Sequence, residues 1–188
     1  QIDEKSKNFP FENREILVSA LEKQYENFEI SKSTSQNIQL LKLSNSYTIT
    51  TGHQLNLFTG PLYFLYKIAT TINLCKELKQ KYPTQNFVPI YWMATEDHDF
   101  DEINYFNFKD QKFRWNRESK GPVGRLSTEG LDLVYEAFSK EIGLGNNAKY
   151  LLDLFKKSYL EHQNLATATR FLAKKKKKNE GLVIIDAD

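Results

Sequence analysis

Thr48-Ile49-Thr50-Thr51-Gly52-His53-Gln54-Leu55-Asn56-Leu57-Phe58-Thr59-Gly60-Pro61 is the stretch that decides the fold. A β-branched segment, Ser46 to Thr51, reads as a strand that stops at Gly52. A polar loop carrying His53, Gln54, Thr59 and Gly60 follows, and Pro61 stands where a helix can begin. Strand, glycine-containing loop and helix start together point backbone NH groups at an anion. Neither G-x-x-x-x-G-K-[ST] nor G-x-G-x-x-G occurs, so the generic nucleotide fingerprints fail.

Working outward, Leu62 to Tyr82 reads as a helix apolar almost all round, expected to be buried on more than one side. Tyr82-Pro83-Thr84 ends it. Phe87 to Ala94 is a continuous apolar run, as in a strand covered on both faces. Residues 48–94 therefore predict a βαβ unit with parallel strands and a right-handed crossover. Directly after its second strand comes Thr95-Glu96-Asp97-His98-Asp99-Phe100-Asp101-Glu102. Ligands of open parallel sheets bind beyond the carboxyl ends of the strands. The His53 loop and the acidic turn are both expected at that edge. Asp186, at the end of the buried-type strand Leu182 to Asp186, joins the candidate binding residues.

Upstream, residues 1–10 read as a loose lead-in, Phe11 to Ile30 as an amphipathic helix and Ser31 to Asn37 as a polar break. Downstream, Ile103 to Phe108 and Lys112 to Trp115 read as a hairpin turning near Lys109-Asp110. Leu131 to Ile142, Tyr150 to Glu161 and Leu165 to Ala173 read as helices. The expected division is a helical lead-in, 1–45, packed on a Rossmann-like α/β core, 46–188, with an inserted segment at about 103–173.

Composition narrows the classes. Hydrophobic residues make up 40% and charged residues 27% of 188, which is globular. The net charge of +2 is concentrated in Lys174 to Lys178, which argues against a nucleic-acid surface; a solvated loop is expected there. One cysteine, Cys75, excludes an internal disulfide and a cysteine zinc site, and is expected to be a buried, inert thiol. With no apolar run of membrane-spanning length and no signal peptide, a cytoplasmic location is expected. The chain does not begin with Met and closes just after a strand, and it is expected to be a piece of something longer.

Each motif carries two readings. His53 and Gln54 either touch the phosphates of a nucleotide, acyl-phosphate or acyl-adenylate, or His53 merely caps the next helix. Thr59-Gly60-Pro61 either cradles an anion or is plain helix entry with Thr59 as cap. Glu96, Asp97, His98 and Asp99 suit acid–base chemistry, a substrate amine, or Mg²⁺ through one or two carboxylates, with Asp97 and Asp99 as the ligands. Zinc on His53, His98 and a carboxylate is a further option. The plain alternative is a solvated acidic turn.

At Thr51-Gly52-His53-Gln54, Leu57-Phe58-Thr59-Gly60-Pro61-Leu62-Tyr63, Tyr66-Lys67 and Trp92-Met93-Ala94-Thr95-Glu96-Asp97-His98-Asp99-Phe100 the chain resembles the BshC family of bacillithiol biosynthesis, the cysteine ligases. Ala168-Thr169-Arg170 and Gly181 to Asp186 agree more weakly. The resemblance implies a Rossmann-like core similar to class I aminoacyl-tRNA synthetases and a coiled coil used in homodimerisation of the full-length protein. It implies addition of cysteine to glucosamine-malate, with ATP as the suspected activating nucleotide. Gly52-His53-Gln54 then takes the position of the synthetases' HIGH signature. On that reading His53, Gln54, Asp97 and His98 are catalytic. Thr51, Gly52, Thr59, Gly60, Glu96, Asp99 and Asp186 bind substrate or nucleotide. Lys174 to Lys178 replaces an expected amphipathic helix, and no second lysine-rich signature loop is found, so the piece alone is expected to be inactive. Two other classes fit the same site: a nucleotidylyltransferase acting on another small acid or sugar, and a non-catalytic module that binds a nucleotide or a partner.

Overall fold

Strand β1 runs Ser46–His53 and strand β2 runs Asn86–Met93. The backbone amide of Asn86 donates to the Asn45 carbonyl at 2.9 Å, and that of Ala94 to the His53 carbonyl at 3.2 Å. The same offset at both ends makes the two strands parallel. β5, Val183–Asp186, completes a three-stranded parallel sheet in the order β1-β2-β5. The structure is a computed structural model that describes residues 9–176 and 180–188. The lead-in 1–8 and Lys177 and Lys178 of the lysine run lie outside the described residues.

β2 holds Pro89 in its middle, where a central strand ordinarily excludes proline. The register explains why it is tolerated. Even-numbered amides of β2 turn to β1, so the missing amide is on the β5 side. Ala187 donates to the Met93 carbonyl, which sets Pro89 level with Leu182, just before β5 begins. The lost bond thus falls where the ladder is only starting.

The helices are α1 (Phe11–Tyr25), α2 (Lys32–Leu40), α3 (Tyr63–Lys81), α4 (Phe100–Ile103), α5 (Leu131–Ile142), α6 (Asn146–Phe155) and α7 (Leu165–Lys176). A short antiparallel pair, β3 (Tyr105–Phe108) and β4 (Gln111–Arg114), turns through Lys109 and Asp110. Both turn residues have positive φ, 48° and 62°, as a tight two-residue hairpin requires.

The chain forms two compact units. One comprises the described parts of Gln1–Gly52 and Lys177–Ile185, with Tyr66–Trp92. Its core joins Val18 and Leu21 of α1, Ile38 and Leu41 of α2 and its end, Val88 and Ile90 of β2, and Val183 of β5. Arg14, 8% exposed, donates to the carbonyls of Leu41 and Ser46, both at 3.1 Å, and so satisfies the end of α2. The other unit comprises His53–Leu65, Met93–Lys176 and Asp186–Asp188. Phenylalanines dominate its core: Phe138 meets Phe106 at 5.1 Å, Phe108 at 5.4 Å and Phe113 at 5.5 Å between ring centroids. The aromatic excess of the sequence is spent largely here.

Several expectations need correction. The break at Ser31 to Asn37 is mostly helix: Ser31 accepts from the Thr34 amide at 3.2 Å and caps α2, whose few apolar residues hid it. β1 does not stop at Gly52 but runs through His53. α3 buries one stripe, Phe64, Ile68, Ile72 and Cys75, while Leu62, Tyr63 and Tyr66 are each about 60% exposed. Lys174, Lys175 and Lys176 continue α7 rather than form a loop. No helix among the described residues is long and apolar enough to cross a membrane.

Candidate active site

His53 closes β1, and its backbone carbonyl is held by the Ala94 amide at the end of β2. Its imidazole Nδ1 lies 3.1 Å from the carbonyl of Gln54. A carbonyl only accepts, so this contact places the ring proton on Nδ1. Phe64 meets the imidazole edge to face at 5.2 Å and Tyr63 lies at 6.0 Å. The ring is therefore oriented by strand, carbonyl and aromatic neighbours together.

Gln54 is where the two turns meet. Its Nε2 donates to Asp97 Oδ2 at 2.8 Å and to Glu102 Oε2 at 3.0 Å. Asn56 adds a bond to the Glu102 carbonyl at 3.3 Å. Asp97 Oδ1 accepts the amides of His98 at 2.6 Å and Asp99 at 3.0 Å. The Asp99 amide and the Gln54 side chain, with the His98 amide and charge, hold the Asp97 carboxyl below its ordinary 3.8. Asp97 thus organises the turn with both oxygens. Glu96, His98 and Asp99 stand exposed beside it.

Beneath the turn, Thr95 is 1% exposed and donates through its hydroxyl to Asp186 Oδ1. The same hydroxyl accepts the Ala187 amide at 3.0 Å. Phe100, 8% exposed, anchors the other side by an edge contact with Trp115 at 5.2 Å. The loop Val123–Arg125 docks on it: Val123 donates to the Asp97 carbonyl at 2.7 Å and Gly124 to that of Thr95 at 3.0 Å. A Cβ on Gly124 would lie 2.6 Å from Thr95 Cβ, so only glycine allows this approach.

Thr59 and Gly60 occupy a turn with unusual backbone. Phe58, Thr59 and Gly60 have φ of 48°, 72° and 50° in succession. Left-handed backbone is costly for a β-branched or aromatic residue. Thr59 is no helix cap, because α3 begins only at Tyr63. Thr51 and Gly52 belong to the other unit, where Lys67 Nζ donates to the Gly52 carbonyl and Trp92 flanks the glycine.

The structure thus brings His53 and Gln54 together with Glu96, Asp97, His98, Asp99 and Asp186 in one unit. Thr59 and Gly60 lie in the same unit. The sequence reading missed Glu102, although it closes the acidic run, and missed Val123 and Gly124, for which the Gly121-Pro122-Val123-Gly124 pattern was the available signal. Among the described residues, no three His, Cys, Asp or Glu converge to hold a metal ion. Asp97 is taken up by its own turn, which does not fit a ready-made cation site.

The family description "Bacillithiol biosynthesis BshC, N-terminal Rossmann-like domain" matches residues 1–188. The chain belongs to the BshC family. A family relative from Flavobacterium johnsoniae, named "Putative cysteine ligase BshC", is 68% identical over all of this chain and 36% of that protein. Relatives of the same name from Flavobacterium psychrophilum and Christiangramia forsetii are 65% and 56% identical, again across 100% of this chain and 36% of theirs. The chain therefore spans about a third of the length of the curated relatives it matches.

Proposed function

We propose that this chain is the Rossmann-like part of a ligase that joins cysteine to glucosamine-malate in bacillithiol biosynthesis, using ATP to activate the cysteine carboxylate. The observation that carries this reading is the tie between the two turns, Gln54 to Asp97 and Glu102. It joins the loop that follows β1 to the carboxylate-bearing turn that follows β2, at the carboxyl ends of parallel strands.

The chemistry divides between them. Activation turns one carboxylate oxygen of cysteine into part of a phosphate leaving group. The amine of glucosamine-malate then attacks the acyl carbon; a C–N bond forms, the C–O bond to phosphate breaks, and the amine loses a proton. His53 steadies developing phosphate charge. Thr59 and Gly60 line the approach to that charge. The acid-rich turn repels bare phosphate and favours an ammonium group, so Glu96 and Asp99 hold the amine of a substrate. His98, exposed at its tip, takes the proton released on attack. Gln54 acts by bracing Asp97 rather than by touching phosphate. On this reading homodimerisation and part of the catalytic apparatus belong to the complete protein, and residues 1–188 alone do not turn over.

The test is direct. The complete protein, cysteine, glucosamine-malate and ATP are incubated and the products followed by mass spectrometry. ATP-dependent formation of bacillithiol is expected. Binding of ATP without any product would favour a non-catalytic module instead.

A further inference from the structure

Tyr159 is wholly buried, and burial pushes its hydroxyl well above the ordinary tyrosine range. Its ring lies 5.0 Å from that of Phe155 in a core of phenylalanines, where Phe would fill the same space. Its hydroxyl accepts the backbone amide of Phe58 at 2.8 Å, 101 residues away. Phe58 begins the left-handed run Phe58-Thr59-Gly60. Without that hydroxyl the part-buried Phe58 amide would lose this partner, at a cost to the turn.

Tyr159 itself sits in an uncommon element. Lys156–Leu160 is a π turn that follows α6 directly. Such turns are rare and occur often at functional sites. Ser158, inside it, donates back to the Leu154 carbonyl at 2.7 Å. Phe58 packs into the same core, with ring centroids 5.1 Å from Phe155, 5.4 Å from Phe106 and 5.7 Å from Phe138.

We infer that Tyr159 is a positioning residue: its hydroxyl, presented by the π turn, latches the left-handed turn so that Thr59 and Gly60 are held ready for the ligand. The latch stands on geometry alone; only its effect on turnover rests on the ligase reading above.

The experiment compares the complete wild-type protein with Tyr159→Phe by hydrogen exchange and steady-state kinetics. Amides of Phe58, Thr59, Gly60 and Leu62 are expected to exchange about tenfold faster in the variant, with those of 131–142 unchanged. The KM for ATP is expected to rise about tenfold while that for glucosamine-malate stays put, a split that general loosening would not produce. Unchanged exchange at 58–62 overturns the latch whatever the activity. A wild type without turnover removes the ligase reading, and the exchange result still decides the latch. Should Tyr159→Phe not fold, adding Thr59→Gly is expected to restore folding, because glycine adopts this backbone without strain; failure to restore it overturns the proposal.

Discussion

Gly60 shows how one residue limits the loop. At φ 50° a side chain is already strained, and a Cβ would stand 2.5 Å from Asn56 Cβ. Gly60→Ala is expected to cost about 1–3 kcal/mol, read as a fall in the denaturation midpoint. Asp97 makes a different prediction. Its folded pKa lies below the ordinary 3.8, so its stabilisation of the turn is in place above that value. It is lost as pH falls through the lowered folded value. Protection of the His98 and Asp99 amides, relative to their free exchange rates, should therefore fall as pH drops below the ordinary 3.8, and Asp97→Asn should abolish that pH step. Cys75, 5% exposed with its thiol pushed up to about 12 by burial, should resist alkylation in the native protein and react once the chain is unfolded.

Among the elements, α2 shows what pattern reading loses. Its apolar content is two residues in nine, so periodicity gave no signal, and the cap at Ser31 is what starts it. Ser31→Ala is expected to cost about 1 kcal/mol, measured by chemical denaturation. β1, β2, β5 and α5 were legible because β-branched runs and helical spacing are local signals. So was the hairpin. The extra strand residue at His53 was not, because its last bond depends on Ala94, 41 positions away. The same holds within the site. The two turns were legible as neighbours from the parallel βαβ arrangement alone. That Asp97 and Glu102 claim the Gln54 amide was not legible, because nothing local shows it. Tyr159 was invisible for the same reason: its partner is a backbone amide.

For the molecule as a whole, the loop at His53 and the acid-rich turn are joined through Gln54 within one unit, and a core of phenylalanines in that unit supports the turn between strand and helix. Family membership follows from the match across the whole chain, while the proposed chemistry gives His53 the charge-stabilising role. That claim is tested most directly by the rate at which the complete protein adds cysteine to glucosamine-malate, wild type against His53→Ala, with both shown to be equally folded. A loss of about 100-fold in kcat is expected, the size of removing one group that stabilises developing charge. Full activity in His53→Ala would contradict it.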